Sequence, residues 1–228
     1  MNPTAIEGRY VRTEYAYVRD FTRELHQKHG KDVDLFLHIG QAGGWSFVSI
    51  ERLAFKQGMS SSWWRRRPGH KYYMIPDDAG KTVEDCGPCP WDNLPMGLKT
   101  SFDVDRVAEA ANELLHTQHT FSPRAVDARG AAPSLVRDAT RAPIAIKPHD
   151  EGGDYCCGFI HYESLANCWV NDRSPDVLFC HVPSDNDPVS LERARDAIVA
   201  VVVSAARELI ERRQSQSESL VEQAGDHL

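Results

Sequence analysis

The chain has 228 residues, 41% hydrophobic and 26% charged, with a formal net charge of −7. That is the composition of a soluble globular protein with enough length for a substantial core. The acidic balance argues against a protein built to bind nucleic acid or an anionic membrane. The longest apolar run, Ala197 to Ala206, falls short of the roughly 18 residues of a membrane span. The first residues lack a basic region followed by an apolar stretch, so no secretory signal is expected. Six cysteines without a regular framework then suggest reduced thiols and a cytoplasmic location.

Residues 11–17 alternate and are β-prone, which predicts a short strand. Val18, Phe21 and Leu25 then fall on one helical face, with Gly30 as the stop. Leu35 to Ile39 is a continuous apolar run of the kind found in a strand buried on both faces. Gln41, Ala42, Gly43 and Gly44 break it, and Phe47 to Phe55 resumes as an extended segment containing Glu51. Residues 56–102 hold many Gly, Pro and Asp residues and no sustained period, so they read as an irregular excursion with one short strand at Lys71–Ile75. Val104, Val107, Ala108, Ala111, Leu114 and Leu115 mark a helix with Asp103 and Asp105 at its positive end. A further strand is expected at Pro143–Ile146.

Gly153 leads into a segment where Phe159, Ile160, Tyr162 and Leu165 suit one face of a helix. Asp176 to Pro183 reads as a buried strand with His181 near its end. The last helix takes Asp187 as cap and Pro188 at its first position, with Leu191, Ile198, Val201, Val202, Ala205 and Leu209 as its apolar stripe. Strands alternating with helices predict an α/β fold, three-layer α/β/α with a mostly parallel central sheet. We expect one domain over residues 1–213 and a disordered polar tail over 214–228.

The chemistry centres on the paired Cys156 and Cys157, which put a thiol on the first turn of a predicted helix. The positive end of the macrodipole there favours the thiolate, which is the nucleophilic form. His181 at a strand end is a plausible base for it. Each residue alone has a blander reading: a buried thiol, a core histidine, and for Glu51 the solvent-facing residue of a strand. Their recurrence at strand ends and helix starts, where α/β folds place active sites, raises the chemical reading.

At this point three segments resemble the pyroglutamyl peptidase I family of cysteine peptidases, in particular its fungal-type members. Gly40 to Gly44 followed by Ser49 to Ala54 is similar to the family's glycine-rich turn and glutamate motif. Gly153 to Tyr162 is similar to its nucleophile motif, and Phe179 to Pro183 to its histidine motif. The resemblance implies a cysteine omega-peptidase without a cofactor. Its substrates would be peptides with an N-terminal pyroglutamate, with Cys157 as nucleophile, His181 as base and acid, and Glu51 orienting the imidazole. It also implies Asn2 and Gln41 as substrate-binding residues and a possible homo-oligomer. No nucleic acid, membrane or metal partner is expected. The chain departs from the family in three ways. It opens at the Asn2-Pro3 turn rather than with a strand and a Gly-Phe-x-Pro-Phe loop. Trp45 stands where an arginine is expected, and Gly158 replaces a polar residue. The alternative is a catalytically inactive relative acting as a peptide-binding or scaffold protein.

Two further motifs carry less. Cys86-Gly-Pro-Cys89 copies a redox dithiol but lacks the strand before it and the helix after it, so it reads as a loop dithiol. Trp63 to Tyr73 mixes bases and aromatics as nucleic-acid surfaces do, yet it is short and sits in an acidic chain, so a solvated loop is the better reading.

Overall fold

The computed structural model describes residues 10–59, 69–117 and 143–225. Its elements are α1 (Tyr15–His29), β1 (Phe36–Ala42), β2 (Val48–Phe55), β3 (Gly58–Met59) and β4 (Lys71–Tyr72). A single 3-10 turn (Val83–Cys86) and β5 (Gly97–Lys99) follow, then α2 (Val104–Thr117), β6 (Ile146–Glu151), α3 (Cys156–Val170), β7 (Val177–Pro183) and α4 (Pro188–Gly225). Hydrogen-bonded neighbours in the main sheet run β1–β7–β2–β5, with β6 also pairing β2, while β3 and β4 form a separate ribbon. The sheet is mixed, and the architecture is the α/β one that the alternation of elements predicts. β2 runs antiparallel to β5, with Ala54 opposite Leu98, and antiparallel to β7, with Ser49 opposite His181.

The chain gathers into two compact units. One comprises the residues up to His38, Arg52–Ser101 and Asp150–Phe179, and the other Ile39–Glu51, Phe102–His149 and Cys180 onward. The first is built on α1 and α3. α1 buries Tyr15, Val18, Arg19, Thr22 and His26, the spacing of one helical face. The strand expected at 11–17 is absent because helix begins at Tyr15, whose backbone N–H donates to the Asp77 carboxylate at 2.9 Å. Glu14, at the cap position, makes no side-chain cap of its own. An acidic residue 62 positions away thus starts the helix.

α3 is not the amphipathic helix expected. Cys156 and every residue from Gly158 to Cys168 are buried, so its polar residues need partners inside the protein. The Glu163 carboxylate accepts from Arg19 Nε at 3.2 Å and from Trp91 Nε1 at 2.8 Å. Asn167 donates to the Glu163 carbonyl at 2.9 Å. Arg173 Nη2 donates to His26 Nδ1 at 2.8 Å, so the hydrogen of that neutral ring sits on Nε2 and faces Ser164 Oγ at 2.7 Å. The 56–102 stretch also supplies core. Tyr72, Tyr73 and Val83 are buried with Tyr15, Cys156 and Phe159 in one cluster. Tyr72 and Tyr73 are therefore core residues rather than part of a solvated loop, and Trp63 to Pro68 lie outside the described residues.

In the second unit α2 packs on α4. Asp103 accepts the Arg106 N–H at 3.1 Å, and Asp187 accepts those of Val189 and Ser190 at 3.0 and 3.1 Å, as expected of helix caps. The buried stripe of α4 is Ala197, Ala200, Val201, Ala205 and Leu209. Ile198 and Val202 are only half-buried, and Leu191 is exposed. Small side chains face the core because they let the two helices approach closely. The helix runs on through 214–225, the stretch whose composition reads as a polar tail. Ser217 and Ser219 donate back to the carbonyls of Gln214 and Gln216 at 2.7 and 2.9 Å. β6 begins at Ile146 rather than Pro143 because Asn112 of α2 takes both backbone groups of Ile146, at 2.8 and 3.0 Å.

Burial holds His38 down to about 4, and burial followed by the Arg173 charge holds His26 at about 3, against an ordinary 6.5. Below about pH 6.5 the unfolded chain therefore takes up protons that the folded chain refuses, and stability falls as pH drops from there towards 4. Urea unfolding between pH 6 and 4.5 should show this loss. His38→Gln should flatten the slope by about 1.4 kcal/mol per pH unit. Coincident slopes for the two proteins would refute it.

Candidate active site

In the second unit the site is built on sheet geometry. Side chains two residues apart on a strand share a face, so Ser49 and Glu51 point the same way. Ser49 lies opposite His181 in the antiparallel β2–β7 pair, and directly opposed residues also share a face. Glu51 is then the diagonal neighbour of His181, within reach of a long side chain. Its carboxylate is fully buried, and Oε1 accepts from Ser49 Oγ at 2.5 Å and from His181 Nδ1 at 2.8 Å. Oε2 lies 2.6 Å from His149 Nδ1.

A fully buried carboxyl is ordinarily pushed towards its neutral form. Burial does act that way on Glu51, but the hydrogen bonds from His149, His181 and Ser49 outweigh it and hold the pKa down at about 2. The ionised group only accepts, so both imidazoles carry their hydrogen on Nδ1 and present Nε2 as the basic nitrogen. The half-buried Trp45 stacks on Phe47, with ring centroids 4.9 Å apart, and makes T-shaped contacts with His149 and His181 at 5.0 and 5.4 Å. Lys147 Nζ lies 4.5 Å from the Phe47 ring centroid. The position where an arginine is expected therefore carries an aromatic wall beside the imidazoles.

Cys157 belongs to the first unit, in the opening turn of α3. Gly153, at φ +82°, leads the chain into that turn, a conformation that favours glycine. A Cβ at Gly158 would run into the Gly153 carbonyl oxygen, which is why no side chain follows Cys157 here. Asp154 accepts the Tyr73 N–H at 2.8 Å and faces His70 Nε2 at 2.9 Å, tying the turn to β4. Tyr73 itself is held at φ +67°, uncommon for a residue with a side chain. The paired cysteines differ. Cys156 is buried, and burial together with its neighbour Cys157 raises its thiol to about 12. Cys157 is only partly buried.

Of the sequence-predicted residues, Glu51 and His181 are joined directly, and Glu51 is buried rather than solvent-facing. Gln41 is exposed at the end of β1, where Nε2 donates to the Ser184 carbonyl at 3.2 Å. Asn2 lies outside the described residues. Cys86 ends the 3-10 turn, with Sγ 3.8 Å from the Thr82 carbonyl, and burial raises its thiol and that of Cys89. Among the described residues no group of three or more His, Cys, Asp or Glu side chains could hold a metal ion, and no helix is long and apolar enough to cross a membrane. Sequence reasoning missed His149 and Ser49. Ser49 was legible as the i−2 neighbour of Glu51. His149 was hidden because the strand carrying it was expected to end at Ile146.

No protein-family model and no curated protein matches the chain significantly. Solved structures do. A single-site variant of pyrrolidone carboxyl peptidase from the hyperthermophile Pyrococcus furiosus aligns with a TM-score of 0.62 at 17% identity, over 92% of this chain and 85% of that one. A second Pyrococcus furiosus structure of that peptidase aligns at 0.60 and 18%, over 89% and 82%. Pyrrolidone carboxyl peptidase from Thermococcus litoralis aligns at 0.55 and 15%, over 86% and 76%. The fold is similar to that of these peptidases, also called pyroglutamyl peptidase I.

Glu51 contributes stability that is complete above about pH 4.5 and is lost as pH falls from there towards 2. Its replacement in Glu51→Gln puts an amide NH2 where an N–H donor already points, and should cost about 2 kcal/mol at pH 7. Guanidinium unfolding of both proteins at pH 7 and pH 3 checks this, with the gap expected to narrow at pH 3. An equal gap at both pH values would contradict the charge assigned to Glu51.

Proposed function

We propose that the chain is a cysteine hydrolase that removes the N-terminal pyroglutamyl residue from peptides. The observation that carries the reading is the buried His181–Glu51 pair, because it fixes one imidazole tautomer with Nε2 as the base. The fold's likeness to pyrrolidone carboxyl peptidases supports the substrate class.

In this reading the Cys157 sulfur gives its proton to His181 Nε2 and attacks the carbonyl carbon of the pyroglutamyl residue. The carbonyl oxygen takes up negative charge, which backbone N–H groups on the first turn of α3 stabilise. Collapse of this intermediate breaks the C–N bond. The His181 imidazolium protonates the departing amine, which leaves as the shortened peptide. Water then loses a proton to His181 and attacks the thioester, releasing pyroglutamate and restoring the thiol. Glu51 keeps the ring in its tautomer and stabilises it while charged, without taking the proton. Gln41 and Asn2 are assigned to the substrate and Trp45 to the wall beside it. No step calls for a cofactor, and reduced thiols suit the cytoplasm.

The test is turnover of a pyroglutamyl amide reporter. Cys157→Ala should abolish it, and His181→Ala should lower kcat by about 10³-fold or more. Stoichiometric alkylation by iodoacetamide should fall on Cys157 first, and its rate near neutral pH should drop in His181→Ala. A folded wild-type chain without turnover of the reporter would end the reading.

A further inference from the structure

The Glu51 carboxylate serves two imidazoles, and the proposed chemistry uses only one. Among the described residues Ser49 and His181 donate to Oε1, while His149 donates to Oε2. The two rings differ in exposure. The His181 side chain is 8% accessible and that of His149 is 39%. Both approach through Nδ1, so both have the same tautomer, and both are tilted against Trp45 with ring centroids 5.0 and 5.4 Å from its own.

A carboxylate on a long side chain can rotate about its last torsion, which is broad and shallow. Donors on Oε1 alone do not set that rotation. A donor on Oε2 does, because turning the group would then break bonds at both ends. The 2.6 Å separation to His149 is that of a strong charge-assisted bond. β6 holds this donor in place through Asn112, which clamps both backbone groups of Ile146, three residues before it.

We propose that His149 is a positioning residue for the hydrolytic reaction: it locks the rotation of the Glu51 carboxylate against His181, and it takes a share of that group's single negative charge. The inference rests on the reading of His181 as the base. Sharing matters because a carboxylate devoted to one imidazole stabilises its protonated form most strongly. With a second donor on the other oxygen the His181 imidazolium is stabilised less, and His181 gives up its proton at lower pH.

The other titratable and charged groups nearby do not supply this effect. On β7 Cys180 is fully buried, and burial and then the Glu51 charge keep it a thiol. On β6 Lys147 is engaged with the Phe47 ring. Arg52 and Asp150, next in sequence to Glu51 and His149, face each other at 3.5 Å and offset one another's charge. Trp45 is neutral. Glu51 joins His181 directly, and His149 reaches the pair through the other carboxylate oxygen.

Two variants separate positioning from bulk stability. His149→Asn keeps an N–H donor close to the Nδ1 position but does not titrate, and His149→Ala removes the donor. Nitrogen-15 imidazole spectra of the full chain should show wild-type His149 and His181 both protonated at Nδ1. The His181 midpoint should move up by about one pH unit in His149→Ala, which loses the donor, and stay near its wild-type value in His149→Asn, which keeps it. On the pyroglutamyl reporter His149→Ala should lower kcat about tenfold with KM unchanged, and His149→Asn should restore most of it. The acid limb should move with the spectroscopic midpoint in both. An unmoved His181 midpoint in His149→Ala overturns the proposal, as does full kcat in that variant. If the wild type is inert on the reporter, the hydrolytic reading fails by itself. The His181 midpoint, which needs no substrate, still decides whether His149 controls the pair.

Discussion

A carboxylate with no solvent exposure has two stable options: take a proton, or be surrounded by donors. Glu51 takes the second, and the strand register of the second unit follows from it. Ser49 must share its face, His181 must stand opposite Ser49, and β6 must reach far enough to bring His149 to the other oxygen. A one-residue slip of β2 against β7 would send the donors to the opposite face and leave a charge stranded in the core, which costs several kcal/mol. The catalytic candidates and the pairing of the strands are thus one constraint. Asn112 extends it to α2 by fixing where β6 begins, and α2 is in turn packed on α4.

The first unit meets the same demand with different means. α3 is buried nearly all round and yet carries Glu163, Ser164 and Asn167. Arg19 pairs with Glu163, donates to the Cys86 carbonyl at 3.4 Å and reaches Gln57, so one guanidinium ties α1, α3 and the 56–102 stretch together. Burial, the largest influence on Glu163, raises its pKa, and Arg19 and Trp91 oppose that. Histidines show how far neighbours decide a residue's duty. His26 is buried beside a cation and His38 is buried as well, so both stay neutral core residues. His149 and His181 meet a buried carboxylate, which is the environment that can hold an imidazole through a change of charge.

Much of the fold was legible because long periodic stretches outvote local noise. The spacing of Val104 to Leu115 and the Asp187-Pro188 start described helices that are there. Failures came where distant residues decide local structure. Nothing within residues 11–17 shows that Asp77 will start a helix at Tyr15. Nothing in Pro143–Ile146 shows that Asn112 will shift a strand towards His149. The period of α3 suggested an amphipathic helix, because sequence alone cannot reveal that Arg19 and Trp91 will make Glu163 burial tolerable. Glu51 and His181 were readable as members of motifs. Ser49 was readable as the residue two before Glu51, on the same face of one strand, whereas His149 was readable only through strand pairing, which places it beside a residue 98 positions away.

The six cysteines differ more in environment than their motifs suggest. Burial is the first influence on Cys86, Cys89, Cys156, Cys168 and Cys180, and in each it drives the side chain towards the neutral thiol. For Cys156 the adjacent Cys157 adds to the effect, and for Cys180 the Glu51 charge does. A neighbouring negative charge thus suppresses ionisation of a second thiol, so a Cys-Cys pair at a helix start is expected to carry at most one thiolate. Cys156 is packed into the aromatic cluster with Tyr15, Tyr73 and Phe159, which leaves Cys157 as the more exposed member of the pair. The close contact of Gly158 with Gly153 serves the same end, because with no side chain at 158 the turn folds tightly back on itself beneath residue 157. Packing, rather than any feature of the cysteine itself, is what distinguishes Cys157 from its neighbour Cys156.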